Sequence, residues 1–154
     1  MLKISTGFGY TIIGIIRLAM CPPGVSLTGQ EIADACSLPA PRRVLNTLGE
    51  IVRAGYLRSR SHRTHGGFSL AYPASRITLL DLIEVANGMV QLHPIIGQEA
   101  HENPQEAALA EALGKAQQAM VEVLRNTSLA DITKRAEEIS EQGPGDLGYT
   151  AENH

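Results

Sequence analysis

The sequence predicts a mainly α fold: a helix-turn-helix domain with a two-stranded wing, followed by a long C-terminal helix. Three observations predict it. Two short helical segments, 28–37 and 41–54, carry their own start and stop signals and are joined by a proline-containing turn. Two alternating segments, 56–60 and 67–72, flank a basic loop with glycines and read as a hairpin. From Gln105 to Arg125, apolar residues recur at heptad spacing.

The first helix is expected over residues 6–20, capped by Ser5 or Thr6, with Ile12, Ile13, Ile16 and Ala19 or Met20 turned inward. Cys21-Pro22-Pro23-Gly24 is the turn that follows it. Lys3, the apolar stretch from Tyr10 and Leu18-Ala19-Met20-Cys21 imitate a lipoprotein signal. Arg17 interrupts that stretch, and Met20 is bulky where a small residue precedes the cut, so the imitation is rejected. Nothing else approaches a membrane span.

Thr28-Gly29-Gln30-Glu31 is a Thr-x-x-Glu capping box that starts the second helix, with Ile32, Ala33 and Ala35 facing in and an end near Ser37. Pro39 and Pro41 break the pattern, and Pro41 suits the first turn of a third helix that stops at Gly55. Val44, Leu48, Ile51 and Val52 form its apolar stripe, while Arg42, Arg43, Asn46 and Thr47 project from the other side. Arginine can pair two acceptors on guanine and asparagine can pair the adenine edge, so this is the layout of a DNA-reading helix. The hairpin offers Arg58, Arg60, His62, Arg63 and His65 with Gly66 and Gly67, a set suited to a phosphate backbone or minor groove. Thr28 adds a hydroxyl for a phosphate.

Charge agrees with that partner. Residues 1–76 hold nine Lys or Arg against three acids, and residues 77–154 hold four against thirteen, which together give the net charge of −3. One half is built for a polyanion and the other is not. The chain's 154 residues suffice for one domain with an appended element, and two Phe, four Tyr and no Trp require an aliphatic core. Two cysteines, Cys21 and Cys36, give neither a disulfide framework nor a zinc pattern, which fits a reduced, cytoplasmic setting.

Beyond the wing, Thr78 and Asp81 form a second capping box for a helix with Leu79, Leu82, Ile83 and Ala86 inward and an end at Gly88. Residues 89–104 lack a period and read as a loop. In the long helix, Leu109, Leu113, Ala116, Met120 and Val123 make a seam for packing helix on helix. Periodicity alone leaves open an intramolecular amphipathic helix. Ser128 and Asp131 begin a short last helix, so that 105–135 is assigned to dimerisation helices and 136–154 to an acidic tail without structure. The sequon Asn126-Thr127-Ser128 is read as incidental.

Ser26-Leu-Thr-Gly-Gln-Glu-Ile-Ala33, Arg53-Ala-Gly-Tyr-Leu-Arg58, Gly66-Gly-Phe-Ser-Leu-Ala-Tyr-Pro73, Ile77-Thr-Leu-Leu-Asp-Leu-Ile83 and the opening Leu2-Lys-Ile-Ser-Thr6 resemble the BadM/Rrf2 family of bacterial transcription regulators. The similarity runs in the family's order from residue 1 to about residue 132. It implies a winged helix-turn-helix over 1–88, a sensor-type loop over 89–104 and a homodimer formed through the long helix on a palindromic operator of double-stranded DNA. Relatives usually carry Lys and Arg where this chain has Gly7 and Gly9, and their loss removes two phosphate contacts.

Many relatives hold an iron-sulfur cluster on three loop cysteines. Residues 89–104 contain no cysteine, so no cofactor is expected. His93 and His101 with Glu99 and Glu102 remain as metal candidates, but no helix fixes their geometry and ordinary surface histidines are preferred. The loop could instead take a small-molecule or protein effector. Cys36 is read as a small buried hydrophobe rather than an oxidation sensor. The expectation is a sequence-specific transcription regulator, a repressor as most relatives are, with no enzyme motif and no membrane segment. The alternative is a winged-helix protein-interaction module that has lost operator reading, in which case DNA affinity would be slight at any salt.

Overall fold

A core with few aromatic rings must be aliphatic, and Ile15, Ile32, Leu48, Ile51, Ile77, Leu82, Ile83 and Leu129 are its most deeply buried side chains. They come from almost every element of a computed structural model that describes residues 6–37, 41–61, 66–87 and 103–142. Helix α1 (Thr6–Ala19) lies at the centre, touching α2 (Gly29–Ala35), α3 (Pro41–Arg53), strand β2 (Gly67–Leu70) and α6 (Leu129–Gln142). Strands β1 (Leu57–Arg60) and β2 (Gly67–Leu70) pair antiparallel, Leu57 opposite Leu70 and Arg60 opposite Gly67. A 3-10 turn (Ala74–Arg76) leads to α4 (Leu79–Asn87), and α5 (Pro104–Asn126) and α6 (Leu129–Gln142) complete the order.

The local signals act as expected. Gly55 follows α3 with φ of +91°, the left-handed turn that glycine makes without steric cost. Thr78 and Asp81 cap α4 reciprocally: the Thr78 amide donates to Asp81 Oδ2 at 2.9 Å and the Asp81 amide to Thr78 Oγ1 at 3.2 Å. Ser128 and Asp131 repeat the device on α6 at 2.8 and 3.1 Å. The two capped ends are joined, because the Leu79 amide donates to the Thr127 carbonyl at 2.9 Å and the Leu129 amide to the Ile77 carbonyl at 2.8 Å.

Three expectations change. The buried face of α1 is Phe8, Thr11, Ile15 and Leu18, while Ile13 and Met20 are exposed. Its apolar residues surround the helix, so spacing alone did not choose the side. In α4 the buried residues are Leu80, Leu82 and Ile83, with Ala86 exposed. Helix α6 continues to Gln142, past the expected end at 135, and packs on α1 and the 3-10 turn with Leu129 in the core. It therefore belongs to the winged domain as much as to α5. Residues 143–154, the rest of the expected tail, lie outside the described residues, as do 88–102, which hold most of the loop expected at 89–104.

Candidate nucleic-acid interface

Helix α3 is divided lengthwise. Val44, Leu48 and Ile51 are buried, and Arg42, Arg43 and Asn46 are exposed. Thr47 is half-buried, and its hydroxyl donates to the Arg43 carbonyl at 3.2 Å, leaving its oxygen as an acceptor. The same sequence thus folds the helix onto the core and turns two cations and an amide outward.

The N-terminus of α2 sits against this helix, because a Cβ on Gly29 would run into the Leu45 side chain of α3. Thr28 caps α2: its amide donates to Glu31 Oε2 at 2.7 Å, and the Glu31 amide donates to Thr28 Oγ1 at 3.1 Å. The bonds from Thr28, backbone first, hold the Glu31 carboxyl below its ordinary value. Both donors of Thr28, amide and hydroxyl, thus serve the Glu31 carboxylate, and the hydroxyl would have to turn from it to reach a phosphate.

The wing is fastened at the same place. Phe68 and Leu27 exchange backbone hydrogen bonds, Phe68 amide to Leu27 carbonyl at 2.7 Å and Leu27 amide to Phe68 carbonyl at 3.0 Å. Gly67 has φ of +134°, and a Cβ on it would stand 2.5 Å from the Leu27 carbonyl oxygen. Its part is therefore close packing at the wing root. Leu57 is buried at the start of β1, while Arg58 and Arg60 are exposed and Gly66 stands at the foot of β2. His62, Arg63 and His65, at the wing tip, lie outside the described residues.

Among the described residues both ion pairs, Lys115 with Glu111 and Arg135 with Glu138, lie in α5 and α6. Arg42, Arg43, Arg58 and Arg60 have no carboxylate partner there. Unpaired exposed guanidinium groups around a helix and a hairpin suit a polyanion. The sequence reading passed over Leu27, Gly29 and Leu45, which set the angles between these pieces; Gly29 directly after a cap residue was the one available signal.

Helix α5 has no buried residue along its 23 positions. Met120 packs against the core beside Val121 and Leu124, whereas Leu109 and Val123 are 43% and 65% exposed. The expected seam therefore splits, with Met120 turned into its own chain and Leu109 and Val123 turned out. Leu113 is half-buried and Ala116 exposed.

A cluster on three thiolates does not fit this chain, which has two cysteines. The Cys21 thiol donates to the Arg17 carbonyl at 3.4 Å, and burial pushes the Cys36 thiol up against the opposing pull of Arg17. Among the described residues no three His, Cys, Asp or Glu gather around a point that could hold an ion, and no helix is long and apolar enough to cross a membrane.

Known proteins share this arrangement. A family model described as "Rrf2: Iron-dependent Transcriptional regulator" matches residues 4–135. YwgB of Bacillus subtilis, described as an HTH-type transcriptional regulator, is 24% identical over 140 residues, covering 90% of this chain and 88% of YwgB. The structure of CymR, the global cysteine regulator of B. subtilis, superposes with a TM-score of 0.75 at 26% identity, covering 88% of this chain and 98% of CymR. IscR of T. potens superposes at 0.69 and 24% identity over 96% of this chain and 97% of IscR, a likeness of fold. The chain belongs to the Rrf2 family of DNA-binding transcriptional regulators.

Proposed function

We propose that this chain is a homodimeric repressor that reads a palindromic operator without an iron-sulfur cluster. The observation that carries the reading is the set of exposed arginines on α3 and β1 that have no carboxylate partner among the described residues, with the root of the wing bonded to the start of α2. Arg42, Arg43, Asn46 and Thr47 face bases or the phosphates next to them. Thr28, Arg58 and Arg60 hold the backbone, together with Gly66, Gly67 and the tip residues His62, Arg63 and His65. Exposed Leu109 and Val123 on a helix with no buried residue support a second copy along α5, which sets two reading heads at a fixed spacing. An effector, a small molecule or protein acting near residues 88–102, would change that spacing by favouring one arrangement of the heads. Duplex DNA as partner and unpaired thiols support a cytoplasmic site of action.

The test is selection of bound fragments from random duplex DNA, followed by titration of the selected site against salt. A two-fold symmetric site, bound with affinity that falls steeply as salt rises, is expected. Asn46→Ala should cost about 1–3 kcal/mol on that site and little on a random duplex. Slight affinity at every salt concentration would instead mark a protein-binding module.

A further inference from the structure

Gly7 sits in the first turn of α1, and a Cβ built on it would stand 2.8 Å from Arg43 Cδ and 3.9 Å from Arg43 Nη1. The aliphatic stem of Arg43 therefore lies on the bare backbone of α1, and its guanidinium is carried beside that helix instead of straight out from α3. No acid stands in the first turn of α1, and among the described residues no carboxylate pairs with Arg43. The space left by glycine admits the side chain there. Gly9 provides a contrast two residues further on, with nothing within 4 Å of its Cβ.

We propose that Gly7 is a positioning residue for Arg43: its missing side chain lets Arg43 lean onto α1 and bond a phosphate at the edge of the site. Arg42 and Asn46 are then left to face base edges. The inference rests on the reading that α3 faces DNA. A side chain that reaches a base must extend outward from its helix into the groove, whereas one laid back along a flank meets the groove wall, where the phosphates are. A methyl group at residue 7 would swing the Arg43 stem off α1. Because Arg43 is exposed, the fold loses little, and alanine favours the helix over glycine.

Binding of a labelled random-sequence duplex is measured across a salt series for the full chain, Gly7→Ala, Arg43→Ala, the double variant and Gly9→Ala. Arg43→Ala should lower the slope of log affinity on log salt by about one. Gly7→Ala should lower it equally, the double variant no further, and Gly9→Ala not at all. Gly7→Ala should also melt no lower than the parent. Additive losses, an unchanged slope in Gly7→Ala, an equal loss in Gly9→Ala or a much lower melting temperature in Gly7→Ala each overturn the positioning role and leave the α3 reading standing. If neither Arg43→Ala nor Asn46→Ala weakens binding to random or selected duplexes, the α3 reading fails and the inference fails with it.

Discussion

Phe68 on the wing and Leu27 at the mouth of α2 form a two-bond backbone bridge, 2.7 and 3.0 Å long. It makes the hairpin an extension of the helix-turn-helix rather than a separate flap. Whatever the wing touches is thereby held in register with what α3 touches, because α2 packs on α3.

Gly67 is the residue this bridge depends on. Its φ of +134° strains any side chain, and a Cβ would press 2.5 Å from the Leu27 carbonyl oxygen. Gly67→Ala is expected to cost about 1–3 kcal/mol in urea unfolding and to weaken duplex binding as the wing tilts away. A variant as stable as the parent would show that the close approach is not obligatory.

Acid should loosen two helix starts together. Hydrogen bonds from Thr28 lower the Glu31 pKa, and those from Ser128, side chain first, lower that of Asp131. A lowered folded pKa contributes stability that is present above the ordinary carboxylate value and lost as pH falls through the folded one. Melting temperature should therefore fall more steeply below about pH 4.5 for the parent than for Glu31→Gln or Asp131→Asn. Parallel curves would show that neither carboxylate is linked to folding.

Much of this was legible because it is local. Capping boxes are four residues long, Gly55 ends α3 by its own backbone geometry, and β1 and β2, neighbours in the chain, pair with each other. Illegible were the features decided between distant segments. The buried face of α1 depends on α2, α3 and α6 closing around it, since Ile12, Ile13, Ile15 and Ile16 offer apolar surface in every direction. The bridge from Ile77 to Leu129 leaves no trace in spacing. The closeness of the Arg43 stem to Gly7 leaves no trace in spacing either, because the two residues lie on different helices.

Cys36 should be a poor redox sensor. It packs against the core at the end of α2, and burial raises its thiol pKa more than Arg17 lowers it. The thiolate is the reactive form, so at pH 7 Cys36 carries less of it than a free thiol does. In a Cys21→Ser background, alkylation by iodoacetamide should be slower than that of glutathione and rise about tenfold per pH unit up to the raised pKa. Reaction faster than glutathione at neutral pH would restore the sensor reading.

The two faces of α5 can be told apart by substitution. Val123 is 65% exposed and Leu109 43%, whereas Met120 lies against the core of its own chain. Val123→Glu and Leu109→Glu place a charge on the outward face, where a single chain solvates it without cost but a second helix would bury it. Sedimentation should show these variants as monomers at concentrations where the parent is dimeric, with unfolding of the winged domain little changed at equal protomer concentration once dimer dissociation is allowed for. Met120→Ala should do the opposite, costing roughly 1–2 kcal/mol of stability for a half-buried side chain while leaving the dimer in place. If Val123→Glu and Leu109→Glu remain dimeric, any second copy lies elsewhere on the molecule, and α5 is an amphipathic helix that serves its own chain alone.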